Sequence, residues 1–67
     1  MVAITINGEP RRFPRPLNCQ ELIDELELAG KRVALERNGE IVPRSRFPAV
    51  ELADGDNIEI VVAVGGG

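Results

Sequence analysis

The sequence predicts an α+β fold in which a mixed sheet of four to five strands packs on one main helix. Hydrophobic residues alternate with a period of two near both ends of the chain, and a stretch between them has helical spacing. The predicted order of elements is β-β-α-β-(β)-β, without a repeat or a linker. The chain of 67 residues has room for one small domain, and its core must be aliphatic because only Phe13 and Phe47 are aromatic.

The first two strands are predicted to form a hairpin. In "VAITI" (Val2–Ile6) large aliphatic residues alternate with small ones, and Asn7 and Gly8 follow at once. This dipeptide is typical of a tight turn in which both residues need positive φ. We expect the returning strand over residues 11–15, at a sheet edge, because its prolines cannot donate to a ladder. Edge charges that oppose aggregation are Arg11, Arg12 and Arg15.

The central helix is predicted to begin after Asn18, which is a good N-cap residue. Glu21 stands three residues on, so the two residues can form a capping box. The aliphatic residues that follow recur at helical spacing, and they are Leu22, Ile23 and Leu26. We expect a helix of about ten residues that ends before Gly30, a natural residue for the left-handed position after a helix.

The second half of the chain is predicted to form three further strands and one brief strand. "VALER" (Val33–Arg37) is joined to "EIV" (Glu40–Val42) by a second Asn-Gly turn. Phe47 should fill the core beneath a loop or a short 3₁₀ turn, and residues 50–52 form a brief strand. The last and longest strand is expected over residues 57–64.

The first and last strands are the most apolar, so we expect them side by side in the middle of the sheet. This arrangement is a β-grasp, or ubiquitin-like, fold. Residues 1–64 would form the domain and residues 65–67 a flexible glycine tail. If Ile58, Ile60 and Val62 point towards the helix, Val61 and Ala63 lie on the free face of the sheet.

Composition argues against several classes of site. The chain has no histidine, and its single cysteine, Cys19, cannot form an internal disulfide or a zinc site. The turn at Asp54 and Asp56 lacks the rest of a calcium loop, so no metal site is expected. We interpret Cys19 as a small, half-buried spacer, although the first turn of a helix can lower the pKa of a thiol. A net charge of −3 and no long apolar run predict a protein that binds neither nucleic acid nor membrane. A small domain without disulfides, whose first residues alternate like a strand and not like a signal peptide, is predicted to be cytoplasmic.

The chain resembles the ThiS family of sulfur carrier proteins of thiamine biosynthesis. The similar stretches are "ITINGEP", "VALERNGEIVPRSRF", "LADGDNIEIV" and the glycines after "VVAV", which together cover nearly the whole chain. The helix stretch "CQELIDEL" is similar only in type. The family ends in Gly-Gly, which Gly66 and Gly67 match, whereas Gly65 is an additional glycine.

The resemblance implies a protein co-substrate rather than an enzyme. The carboxylate of Gly67 would be adenylated by a ThiF-like adenylyltransferase that uses ATP, then converted to a thiocarboxylate. A cysteine-desulfurase-type enzyme would supply the sulfur, and thiazole synthase (ThiG) would receive it. No cofactor is expected on the carrier itself, and the free protein should be a monomer. The reactive group would be Gly67, with Gly65, Gly66, Val61 and Ala63 contacting partners.

Other functions are compatible with the same residues. The chain could be the small subunit of molybdopterin synthase, or a carrier for tRNA thiolation or cysteine synthesis. It could also be a ubiquitin-like modifier, because an activated glycine carboxylate accepts sulfur or an amine according to the partner enzyme. A plain binding module would not need the tail at all. Arg37 and Arg44 are candidates for a partner surface, with solvated charge as the simpler interpretation.

Overall fold

The computed structural model describes residues 1–63 and contains the predicted order of elements. The position expected to end the last strand and the predicted flexible tail, residues 64–67, lie outside the described residues. The elements are β1 (Val2–Ile6), β2 (Glu9–Phe13), α1 (Cys19–Glu25), β3 (Val33–Arg37), β4 (Glu40–Val42), a 3₁₀ turn (Arg44–Arg46) and β5 (Asn57–Val62).

The five strands form one mixed sheet in the order β2-β1-β5-β3-β4. β1 and β5 run parallel, with Thr5 opposite Asn57 and Ile6 opposite Ile58, and the other neighbouring strands are antiparallel. The two apolar end strands are therefore adjacent, as predicted, and β5 is the middle strand. Its ladder is bonded on both sides, which suits a strand whose helix-facing residues are fully apolar.

Both Asn-Gly dipeptides form the predicted turns. The φ values are 50° and 83° at Asn7 and Gly8, and 52° and 87° at Asn38 and Gly39. Because the first turn has only two residues, antiparallel pairing resumes at once, and β2 begins at Glu9. The prediction of a strand over residues 11–15 was therefore placed too late, whereas its position at the sheet edge is confirmed.

The turn asparagines have a second role that the dipeptide alone does not predict. The Asn7 side chain accepts a hydrogen bond from the Ile60 N–H at 2.8 Å and donates to the Ile60 carbonyl at 3.1 Å. The Asn38 side chain accepts from the Asn57 N–H at 2.8 Å. Each turn thus holds the middle strand, and Asn7 extends the bonding of β1 to β5 beyond the end of the β1 ladder.

The helix begins as predicted. The Asn18 side chain accepts a hydrogen bond from the Glu21 N–H at 2.7 Å, and the Glu21 carboxylate accepts from the Asn18 N–H at 2.8 Å. This reciprocal pair is the expected capping box, and it satisfies two backbone donors at the helix start.

The helix ends earlier than expected. It has seven residues rather than about ten, because Glu27 takes the left-handed conformation with φ 59°. The Glu27 N–H donates to the Asp24 carbonyl at 3.0 Å, and the next N–H donates to the Ile23 carbonyl at 2.9 Å. These two bonds form a Schellman motif around a residue that is not glycine. Gly30, with φ 84°, lies in the following turn and does not end the helix.

Replacing Glu27 with glycine should stabilise the protein. Glycine adopts this left-handed conformation without a steric cost, so we expect the free energy of unfolding to rise by about 0.5 kcal/mol in urea denaturation. Ala29→Gly is the matched control, because Ala29 is not among the residues with positive φ. That control should be neutral or destabilising. An equal or lower urea midpoint for Glu27→Gly would contradict the prediction.

Residues 50–52 do not form the brief strand that we expected. Glu51 makes a single antiparallel bridge with Asn18. The flanking backbone instead fixes the entry to the helix, with the Cys19 N–H donating to the Val50 carbonyl and the Leu52 N–H to the Leu17 carbonyl, both at 2.9 Å. The Val50 carbonyl and the Leu52 N–H thus form their hydrogen bonds with residues 17–19 and not with a neighbouring strand of the sheet.

The core lies between α1 and one face of the sheet and is almost wholly aliphatic. Phe47 is 1% exposed and packs beside the 3₁₀ turn, as predicted. The buried apolar residues are Val2, Ile4, Ile6, Leu17, Cys19, Leu22, Ile23, Leu35, Val42, Phe47, Leu52, Ile58 and Ile60. Truncating one of the largest should cost several kcal/mol in a domain whose total stability is only about 5 kcal/mol.

Candidate functional site

β5 carries the chain from the core to the predicted tail. Its last residue in the ladder, Val62, pairs with Val33, and the Ala63 N–H then donates to the Arg32 carbonyl at 2.9 Å. Ala63 is the last described residue. Gly65, Gly66 and Gly67 lie outside the described residues, and their predicted chemistry stays a prediction. The structure therefore defines the base from which the tail starts.

The two residues predicted to contact partners on the free face are exposed there. Ile58 and Ile60 are buried against the helix side, whereas Val61 is 65% exposed and lies directly opposite Ala34 of β3. Ala63 is also exposed. A large aliphatic side chain exposed at the base of the tail suits contact with another protein.

An open hollow of about 350 Å³ lies next to the tail base. Its size is within the range of small-ligand pockets, but its walls include the largely exposed Val61, so it does not enclose a small molecule. The hollow suits an inserted side chain of a partner better than a free metabolite. Its lining consists of Arg32, Val33, Ala34, Arg44, Val61 and Ala63.

The two candidate arginines have different environments. Arg44 is exposed and lines the hollow beside the tail base. The Arg37 side chain instead pairs with Asp56, with 2.7 Å between Nε and Oδ2, and this hydrogen bond raises the pKa of the guanidinium. The interpretation of Arg37 as a solvated charge did not anticipate this ion partner, which lies 19 positions along the chain and is invisible to local sequence patterns. Contact of Arg37 with a partner protein stays a prediction.

Asp56 is the centre of a polar network at the start of β5, at the other end of the strand from the tail. It is 6% exposed. Its carboxylate accepts hydrogen bonds from Arg37, from the Ala53 N–H at 2.8 Å and from the Asn38 side chain at 3.0 Å. Burial by itself would raise the pKa of Asp56, but these donors hold the pKa below its ordinary value. The turn predicted at residues 54–56 therefore links the end of β3 and the turn after it to the start of β5, through hydrogen bonds to Asp56.

Cys19 is more buried than the half-buried spacer that we expected. Its relative exposure is 0%, and burial raises the pKa of the thiol, with Arg37 partly opposing the shift. The helix start does not produce an activated thiolate, because loss of hydration dominates. Cys19 is a small apolar part of the core.

The described part of the chain offers little for other kinds of site. Among residues 1–63, no three acidic or cysteine side chains are placed to hold a metal ion. Over the same residues, no helix has the length and apolar character needed to cross a membrane.

Sequence reasoning did not single out four residues of the free face as site residues. Arg32, Ile41 and Glu59 are exposed there, and Glu36 is half-buried. Arg32 lies beside Ala63, and Glu36 lies directly opposite Glu59. Ile41, in β4, is 71% exposed and lies opposite Glu36. The period of two places each residue on one face of its own strand, but it does not tell which residues of two strands meet.

The body that carries the tail is therefore a five-stranded sheet over one helix, with an apolar, charge-flanked tail base. The model of the ThiS family matches residues 4–67. The chain belongs to the ThiS family. The resemblance stated from the sequence is confirmed, and the match runs through the glycines at the end of the chain.

Known proteins agree with this assignment. Sulfur carrier protein ThiS of Bacillus subtilis is 40% identical over 65 residues, which cover 96% of this chain and 98% of that protein. The crystal structure of the thiamine biosynthesis protein ThiS from Geobacter metallireducens superposes with a TM-score of 0.83 at 36% identity. That alignment covers 98% of this chain and all of the Geobacter chain, and it confirms the β-grasp fold.

A different kind of relative is much longer. Thiazole synthase of Paramagnetospirillum magneticum is 45% identical over 64 residues. The alignment covers 96% of this chain but only 20% of that protein, so the chain spans about a fifth of the length of this relative. A ThiS-like segment is thus part of a protein named as thiazole synthase.

Proposed function

We propose that this member of the ThiS family carries sulfur for formation of the thiazole ring of thiamine. The carboxylate of Gly67 is adenylated, converted to a thiocarboxylate and presented to thiazole synthase. The observation that carries the proposal is the family match over residues 4–67, because it covers the β-grasp body and the glycine end together.

The proposed chemistry explains why the reactive group is a backbone carboxylate. A carboxylate is a poor electrophile, since its charge repels nucleophiles and its oxygen leaves badly. Attack of a carboxylate oxygen on the α-phosphorus of ATP releases pyrophosphate and forms an acyl adenylate. Sulfide-level sulfur then attacks the acyl carbon and displaces AMP, which leaves the thiocarboxylate; a persulfide donor would in addition require a thiol reductant to cleave its S–S bond. The ATP site belongs to a ThiF-like adenylyltransferase, and the sulfur derives from a cysteine-desulfurase-type enzyme.

The glycines suit a tail that must enter two different active sites. Without Cβ atoms, residues 65–67 can pass through a narrow channel and adopt φ values that are closed to other residues. On this proposal Gly67 reacts, Gly66 fits the channel and Gly65 adds reach. Val61 and Ala63 contact the partner at the channel mouth.

Thiazole synthase is the proposed acceptor because a related segment occurs within proteins of that name. Joining carrier and acceptor in one polypeptide raises their effective concentration, which is useful only if the two act together. We place this carrier in the cytoplasm, as a monomeric co-substrate that is regenerated after each transfer and binds no cofactor of its own.

The test is the intact mass of the untagged protein after incubation with ATP, a sulfur donor and the ThiF-like enzyme. We expect a species that is heavier by one sulfur less one oxygen and that alkaline hydrolysis removes. Adding thiazole synthase and its other substrates should return the original mass while thiazole product forms. A mass that never changes would refute the sulfur carrier function. A thiocarboxylate that thiazole synthase cannot consume would redirect the carrier to molybdopterin or another sulfur pathway.

A further inference from the structure

The free face of the sheet carries three successive rows of residues that lead to the tail. The first row is Glu36 opposite Glu59, and the second is Ala34 opposite Val61. In the third, the Ala63 N–H bonds to the carbonyl of Arg32. We call these three rows, together with the neighbouring Arg44, the docking strip. Its charge changes from acidic to apolar to basic towards the tail.

Repulsion within the acidic row lowers the stability of the sheet. Glu36 and Glu59 are directly opposite each other in an antiparallel pair, where like charges are destabilising. Opposite charges at these positions would stabilise the sheet. Instead, Arg32 lies two rows away from Glu36, about 13 Å along the strand direction, and Arg44 lines the same hollow as Arg32. Within residues 1–63 the one ion pair is Arg37 with Asp56. Neither the acidic nor the basic end of the strip is therefore paired with an opposite charge in the described part of the chain.

Charges separated in this way suit a partner with the reverse pattern. We propose that the docking strip orients this carrier on its activating enzyme, whose surface has carboxylates at the mouth of the tail channel and basic side chains about 13 Å away. The apolar middle row, with Val61 65% exposed, packs between the two charged contacts. This inference rests on the proposed function and adds which charges face the partner and in which order.

The geometry explains why the basic end lies beside the tail. Ala63 is bonded to Arg32, and both line the same hollow as Arg44. Whichever enzyme admits the tail must bring the rim of its channel over this hollow. Acidic groups on that rim would pair with both arginines, whereas a basic rim would be repelled. The acidic row then excludes the docking orientation that is rotated by half a turn.

The basic end is tested by the double variant Arg32→Gln/Arg44→Gln in ATP–pyrophosphate exchange with the ThiF-like enzyme. We expect the KM for the carrier to rise about fivefold with kcat unchanged, because two rim contacts are lost while the reacting carboxylate is intact. The control Arg12→Gln/Arg15→Gln has the same net charge and alters two exposed arginines outside the strip, Arg12 in the edge strand β2 and Arg15 in the segment after it. Its KM should stay that of the unaltered chain.

The acidic end is tested by Glu36→Gln/Glu59→Gln. We expect the variant to be more stable but to bind the enzyme more weakly, with a higher urea midpoint for the free protein and a higher KM for the carrier. A general loss of structure would not produce that combination. The control Glu9→Gln/Glu25→Gln removes two exposed charges elsewhere and should alter neither quantity appreciably. Raising the salt concentration should increase KM for the unaltered chain and much less for the four-residue combination of both strip variants.

The outcomes separate the two levels of the proposal. Exchange by the unaltered chain with an unchanged KM in both strip variants would overturn the docking strip and leave the sulfur carrier function standing. Absence of exchange by the unaltered chain would overturn both. A self-complementary dimer is the other occupant of a strip with opposite charges at its ends. If sedimentation showed a dimer that Arg32→Gln/Arg44→Gln dissociates without changing KM, the strip would be a self-association surface and the proposal wrong.

Discussion

Deletion of Gly66 and Gly67 is expected to abolish adenylation and leave the fold intact. On the proposed mechanism the nucleophile is the carboxylate of Gly67, so shortening the tail by two residues withdraws it by about 7 Å from the α-phosphate. A displacement of about 1 Å can already cost a factor of 100 in rate. The core residues and hydrogen bonds described above all lie within residues 1–63. The free energy of unfolding should therefore change by less than about 0.5 kcal/mol.

The measurement is ATP–pyrophosphate exchange with the ThiF-like enzyme, together with urea denaturation of the same samples. The matched control is a chain with one alanine added after Gly67, which keeps every native residue and moves only the carboxylate. It too should lose exchange, which would separate the position of the carboxylate from the presence of the glycines. Exchange at the unaltered rate by the truncated chain would contradict the assignment of Gly67 as the reacting residue, because a carboxylate two residues earlier would then be adenylated equally well.

Replacement of Asp56 by alanine should remove a large part of the stability of the domain. The carboxylate accepts three hydrogen bonds, from Arg37, Asn38 and the Ala53 N–H, and it is almost fully buried. Alanine would leave those donors without their acceptor. Because the Arg37 side chain is 33% exposed and can be rehydrated, we expect a loss of about 2–3 kcal/mol, less than the roughly 3–5 kcal/mol for breaking a fully buried ion pair.

The same network predicts how stability depends on pH. The pKa of Asp56 is lower in the folded protein than its ordinary value of 3.8. The contribution of this group is therefore fully present above the unfolded pKa and is lost as pH falls through the folded pKa. The unaltered protein should lose stability below about pH 4, and Asp56→Asn should lose less over that range because it has no proton to gain.

Urea denaturation between neutral and acidic pH checks both statements. Asp24→Asn is a suitable control, since Asp24 is exposed on the helix and bonds only to the Gln20 side chain at 3.2 Å among the described side chains. It should change the free energy of unfolding by less than about 0.5 kcal/mol at neutral pH. If Asp56→Asn and the unaltered chain showed the same acid dependence, the network would not be a source of stability.

Several elements could be predicted because their signals lie within a few neighbouring residues. The two Asn-Gly turns, the capping box at Asn18 and the alternation in β5 each depend on local backbone chemistry, and each is present. The prediction of the helix end was wrong for a related reason. Glycine favours the left-handed conformation, but here Glu27 adopts it at a modest cost in free energy. Packing of Leu28 against the core accompanies this early end.

The candidate site divides in the same way. Its face could be predicted, because the period of two in β5 places Val61 and Ala63 away from Ile58 and Ile60. Its composition could not, because Arg32, just before β3, and Glu36, within β3, meet β5 only through the antiparallel register. The ion pair of Arg37 could not be predicted either, because its partner Asp56 lies in the turn before β5 and reaches Arg37 only in the folded chain.

The sequence by itself therefore determined the order of the main elements, the two Asn-Gly turns, the N-terminal cap of the helix, the face of each strand and the ThiS family. All of these depend on short-range backbone preferences, on the period of side chains or on likeness along the whole chain. Only the tertiary structure decided which charges are neighbours: Glu36 with Glu59, Arg37 with Asp56, and Arg32 with the tail base. The physical reason is that strand register is set by packing of the whole core, which no local pattern contains.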